Sequence, residues 1–144
     1  MFWPAYRKQD QIELRRQYTE PYVDVGILQA LRDRGIKTGI VSSAPKHIIE
    51  LELEMLTRDF GSVVRAQPAE GVEQKPSPDG LLKCIRELKV EPSKSIYVGN
   101  GSQDLEMARN AKVYGILVDR EEYDFGKIEA DLTIISLDEL RTLF

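Results

Sequence analysis

The chain has 144 residues, 42% of them hydrophobic and 31% charged, with a formal net charge of -4. That length fits one domain of the usual ~100–200 residues with a core of its own, and the dispersed negative charge argues against nucleic acid or an anionic membrane as partner. The single cysteine, Cys84, excludes an internal disulfide and a multi-cysteine zinc site. Apolar runs are too short to cross a bilayer and residues 1–8 lack the order of a secretion signal, so a cytoplasmic location and a small-molecule partner are expected.

Residues 8–18 are polar with Ile12 and Leu14 interspersed, which predicts a helix with a modest apolar face. Pro21 breaks the chain, and 23–34 reads as a second helix, with Val23, Ile27, Leu28 and Leu31 on one face and Gly35 at a left-handed C-cap. A buried strand follows over 36–41 and ends at Ser42-Ser43, where Ser43 is placed to cap the next helix, with Pro45 in its first turn. That helix carries Ile48, Ile49, Leu53 and Leu56 on one face and runs to about residue 58.

Residues 62–65 form a short strand and 66–77 a loop. A helix starts at Pro78-Asp79 and turns Leu81, Leu82, Ile85 and Leu88 inward, with Cys84 among them as a small core residue. Ile96-Tyr97-Val98 is a strand and Gly99-Asn100-Gly101 a tight turn; a helix then begins with Asp104 in its first turn and Leu105, Ala108 and Ala111 at helical spacing. A strand over 114–118, a charged loop over 119–127, a strand over 132–135 and a closing helix over 137–143 complete the chain. The alternation predicts an α/β fold, a parallel sheet with helices on both faces and right-handed crossovers.

Three polar features fall at one edge of that sheet: Ser42 after its strand, Lys75 in the loop after Val64, and Asn100 with Asp104 after Val98. A hydroxyl, an ammonium and a carboxylate beside open backbone N–H groups suit a phosphate-and-metal site, since lysine neutralises an oxyanion while carboxylate holds Mg²⁺. Each also has a plainer explanation. Ser42 can end a strand or support a cap, Lys75 can be a solvated loop residue, Asp104 can complement a helix N-terminus, and Asn100 can serve a left-handed turn.

In this order the motifs resemble those of the haloacid dehalogenase (HAD) superfamily, in particular its phosphoglycolate-phosphatase-like hydrolases. Thr-Gly-Ile-Val-Ser42 is similar to the second motif, whose hydroxyl binds the transferring phosphoryl group; Lys75-Pro-Ser-Pro78 to the third, whose lysine stabilises the phosphoaspartate; and Tyr97-Val-Gly-Asn-Gly-Ser-Gln-Asp104 to the fourth, whose acids hold Mg²⁺. The resemblance, which runs from about Tyr22 onward, implies a Rossmann-like HAD core over 21–144, with 1–20 as a remnant helix of an α-helical cap. It implies Ser42, Ser43 and Lys75 as phosphate ligands, Ser42 and Lys75 as catalytic groups, Asp104 and Asn100 as the metal positions, and a small phosphorylated metabolite as substrate.

Two departures shape the expected function. No Asp-x-Asp, the family's nucleophile pair, occurs in these 144 residues, and Asn100 stands where a metal acid is the rule. Mg²⁺ is therefore expected to bind weakly or not at all, and the phosphatase to be inactive or incomplete, because covalent phosphoryl transfer needs a positioned nucleophile. The rival expectations are a non-catalytic module for a phosphate ligand or a protein, and a fragment of an ordinary phosphatase. Asp119-Arg-Glu121, Asp24 and His47 are poor stand-ins, with His47 expected on the surface. The family's first strand lies between those ending at Ser42 and Val98; without it those two must close up or leave open edges, the second inviting a homodimer or a strand-sharing partner.

Overall fold

The computed structural model describes residues 26–55, 60–120 and 128–143. The helix expected over 8–18, the boundary near residue 20, Asp24, and the aromatic Phe2, Trp3 and Tyr6 lie outside them. In chain order the elements are α1 (Ile27–Asp33), β1 (Gly39–Ser42), α2 (Lys46–Met55), β2 (Ser62–Arg65), α3 (Asp79–Leu88), β3 (Ile96–Gly99), α4 (Ser102–Asn110), β4 (Tyr114–Val118) and β5 (Leu132–Ile134).

Local chemistry sets the boundaries. Gly35 takes φ 81 and closes α1 through bonds from its N–H to the Arg32 carbonyl and from the Ile36 N–H to the Leu31 carbonyl. Ile36 thus belongs to the helix terminus, and β1 starts at Gly39, later than the expected 36. Pro78 caps α3 with Asp79 in the first turn, as expected. The closing helix is corrected to a 3-10 segment, Leu137–Thr142, entered through Ser136, whose Oγ accepts from the Asp138 N–H while Glu139 reaches back to the Ser136 N–H. In α2 the buried residues are Ile48, Ile49 and Leu51, with Leu53 only half-buried.

The strands are parallel, as expected, but they form two sheets. Gly39↔Ser62 to Ser42↔Arg65 pairs β1 with β2. Ile96↔Tyr114 to Gly99↔Leu117 pairs β3 with β4, and β5 pairs on the far side of β4. Among the described residues β1 and β3 do not pair, so the closing-up alternative is not what is observed. Between the two sheets, the Val41 carbonyl of β1 accepts from the Tyr97 side-chain hydroxyl of β3 at 3.2 Å.

Helices cover both faces. Under α3 and α4 one core cluster gathers Val41, Val64, Ala66, Leu81, Cys84, Ile85, Met107 and Ala108, and Tyr97 packs against it. On the other face Ile27, Leu31, Ile116, Val118, Ile134 and Leu140 form a second cluster, joined by Ile96 and Val98. The period-2 alternation of a strand thus sends Tyr97 to one face and both its neighbours to the other. Among the described residues Ile27, Met107 and Ile116 are the largest fully buried side chains, each contributing roughly 1.5–3 kcal/mol by removal from water.

Candidate phosphate site at the carboxyl rim of the sheets

The loop between β2 and α3 delivers Lys75. Its course is fixed by the Glu73 N–H donating to Asp79 Oδ2 at 3.0 Å, the Ser77 N–H donating to the Gln74 carbonyl, and the Asn110 amide of α4 donating to the Pro76 carbonyl at 3.0 Å. The Lys75–Pro76 peptide is cis. The ammonium that emerges donates to Asp104 Oδ1 at 2.6 Å and to the Tyr97 hydroxyl at 3.0 Å, and lies 5.6 Å from the Tyr97 ring centroid. With side-chain exposures of 13% and 14%, Lys75 and Asp104 form a largely desolvated pair, where charge–charge attraction is stronger than in water.

Asp104 is held from both sides. Its Oδ2 accepts the backbone N–H groups of Asn100 and Gly101, each at 3.2 Å, while Oδ1 faces Lys75 and, at 3.2 Å, the Tyr97 hydroxyl. In return the Asp104 N–H donates to the Gly101 carbonyl, so the carboxylate also complements the N-terminus of α4. Close approach of turn to carboxylate depends on Gly99: a Cβ there would lie 2.4 Å from the Asp104 Cβ. Burial, and then the negative charge of Asp104, push the Tyr97 phenol well above its ordinary pKa, which keeps it a neutral hydroxyl.

Lys75 and Asp104, both expected in the site, are thus brought into direct contact. Tyr97, not anticipated as a site residue, joins them and links them to β1 through the Val41 carbonyl. Ser42 is the next residue along that strand. Its Oγ accepts from the Ala44 N–H at 3.1 Å, which makes Ser42, and not Ser43, the hydroxyl supporting the turn into α2. The carbonyl of Ser43 accepts from the Gln67 amide, while its Oγ is buried with no hydrogen-bond partner among the described residues. His47 is half-buried, not a surface residue, and its Nε2 is likewise buried without a partner.

Asn100 is exposed and works through its backbone N–H. The non-glycine residues at positive φ are Lys89 and Lys112, so a left-handed conformation is not the reason for Asn100. Arg65, in register with Ser42, reaches the same rim and pairs with Glu70. Cys84 is core, as expected, its thiol pushed up by burial.

A Mg²⁺ site calls for near-octahedral oxygen ligands, one or two of them carboxylates. The residues present do not fit it. Asp104 has both oxygens engaged, Asn100 adds no charge, and no group of three His, Cys, Asp or Glu side chains converges among the described residues.

Residues 2–118 match the haloacid dehalogenase-like hydrolase family. A phosphoglycolate phosphatase of Aquifex aeolicus is 31% identical over 96 residues, covering 65% of this chain and 45% of its own length. The pyrophosphatase PpaX of Bacillus thuringiensis is 32% identical over 101 residues, covering 69% and 44%. The chain thus spans about half the length of the curated relatives it matches. Among solved structures, a HAD phosphatase from Thermococcus onnurineus superposes with TM-score 0.82 at 32% identity, over 96% of this chain and 65% of that one. A hydrolase from Pseudomonas syringae shares the fold, with TM-score 0.78 at 21% identity over 91% and 62%. No described helix is long and apolar enough to cross a membrane.

Proposed function

The chain belongs to the haloacid dehalogenase-like hydrolases, and we propose that its rim is the phosphate site of a phosphatase-type domain for a small phosphorylated metabolite. Ser42, Ser43 and Lys75 bind the phosphoryl group. Relatives named for phosphoglycolate and pyrophosphate favour a small, strongly anionic substrate. The observation that carries the reading is the Lys75 ammonium, fixed at the carboxyl rim of parallel strands beside Asp104, where open α/β folds bind ligands.

Hydrolysis is a separate matter. A phosphomonoester is cleaved in this family through an aspartyl intermediate, and these 144 residues contain no Asp-x-Asp to form one. Ser42 offers no replacement, because its Oγ is engaged with the Ala44 N–H and no hydrogen bond from it to a base is seen among the described residues. The domain as it stands binds and does not turn over, with Mg²⁺ weakly held at best. The inner edges of β1 and β3, unpaired among the described residues, support a strand-sharing partner or a second copy as the means of completing it.

Calorimetric titration with orthophosphate, alongside an aryl phosphate assay with Mg²⁺, tests both parts. Phosphate binding lost in Lys75→Ala, without turnover in either protein, is the expected outcome. Turnover abolished by Lys75→Ala would refute the loss of catalysis, and absence of phosphate binding under every condition would refute the site itself.

A further inference from the structure

Resting on that phosphate-site reading, we infer that Lys75 is the resident cation of the site: held on Asp104 by Tyr97, it takes the place of a divalent ion, and oxyanion binding here needs no metal. A carboxylate offers about four lone-pair positions. At Asp104 these face Lys75 and Tyr97 on Oδ1 and the N–H groups of Asn100 and Gly101 on Oδ2. An entering divalent ion would have to displace Nζ from a 2.6 Å contact and then sit beside the ammonium it had released. With Asn100 neutral, the rim carries no second negative charge from this motif to offset that repulsion.

An anion meets the opposite situation. The ammonium has three N–H donors; one is spent on Asp104 and one on Tyr97, and the third, without a partner among the described residues, remains for an oxyanion. The anion can therefore bind without breaking the pair. Tyr97 is the positioning residue: its hydroxyl accepts from Lys75, and its single proton serves Asp104 or the Val41 carbonyl, so the ammonium is tied to both sheets.

The test titrates the full chain with orthophosphate in EDTA and again with excess Mg²⁺, and follows backbone amide NMR shifts of Asn100, Gly101 and Asp104 during addition of Mg²⁺ alone. Phosphate affinities within about twofold of one another, and no Mg²⁺-dependent shift at those amides, are expected. In Tyr97→Phe, phosphate affinity should fall about tenfold while remaining indifferent to Mg²⁺. Lys75→Met exposes Asp104, and if it folds its amides should begin to respond to Mg²⁺. Phosphate bound only with Mg²⁺ would overturn this inference and leave the phosphate site standing; shifts at the three amides of the unaltered chain would overturn it whatever phosphate does. Should phosphate fail to bind at all, the site reading and this inference fall together.

Discussion

On the β3 side of the rim, Asp104 has both oxygens occupied by protein donors, and the Lys75 ammonium is compensated at 2.6 Å. On the β1 side, a few residues past Val41, the Ser43 hydroxyl and the His47 Nε2 are buried without hydrogen-bond partners among the described residues. Buried polar groups are nearly always paired, and one left alone costs about 1–3 kcal/mol. The contrast separates two tasks within one site. The β3 rim has its carboxylate fully engaged, which stabilises the fold and leaves one Lys75 N–H for an anion, whereas the β1 side holds buried polar groups without partners among the described residues, which an incoming polar ligand can satisfy.

The largest effect falls on the β3 side. Replacing Asp104 by alanine leaves the Lys75 ammonium, 13% exposed, without its counter-charge and frees the Asn100 and Gly101 N–H groups. Removing one partner of a buried pair costs roughly 3–5 kcal/mol, and the lower end is expected here because the pair is not fully enclosed. Urea unfolding measures it. A loss under about 1 kcal/mol would mean that the engaged carboxylate does not stabilise the fold and would erase the contrast.

Tyr97 comes next, since it joins the two sides. In Tyr97→Phe the Val41 carbonyl and Lys75 each lose a partner, an expected cost of about 1–2 kcal/mol. The same residue predicts a pH dependence. The folded chain holds the phenol proton more tightly than the unfolded chain, where tyrosine titrates near ~10. Its contribution is therefore complete below about pH 10 and is lost as pH rises beyond. Cys84, raised by burial, acts in the same direction from about pH 8.5. Stability measured from neutral to alkaline pH should fall on both accounts in the unaltered chain, and the steeper, later part should disappear in Tyr97→Phe.

The sequence carried the β3 rim more legibly than its connection to β1. Val63 and Val64 between turn residues mark β2, and the apolar run 114–118 marks β4, each to the residue. Pro78-Asp79 marks the start of α3 in the same way. These signals are local, so they survive without knowledge of the fold. Tyr97 sits inside a strand pattern as an ordinary β-former, and only the approach of Val41, 56 residues away in sequence, turns its hydroxyl into a site group. The two-sheet division has the same origin, since pairing between strands is non-local. The closing segment, expected as an ordinary helix, tightens to a 3-10 helix with Leu140 buried, because how tightly a short terminal segment winds is set by what it packs against.

The smallest effect has the opposite sign and lies on the β1 side. Ser43→Ala removes a buried hydroxyl that has no partner among the described residues, so the ligand-free chain should be unchanged or more stable by up to about 1 kcal/mol. If that hydroxyl is a phosphate donor, the gain reverses in the presence of the ligand, because a group that binds only the folded state adds stability in proportion to its affinity. Melting temperatures of both proteins, with and without orthophosphate, separate the two terms: the variant should melt at or above the unaltered chain alone, and gain less on adding phosphate. An equal gain in both would leave Ser43 outside the site and assign the anion to Lys75 and Ser42.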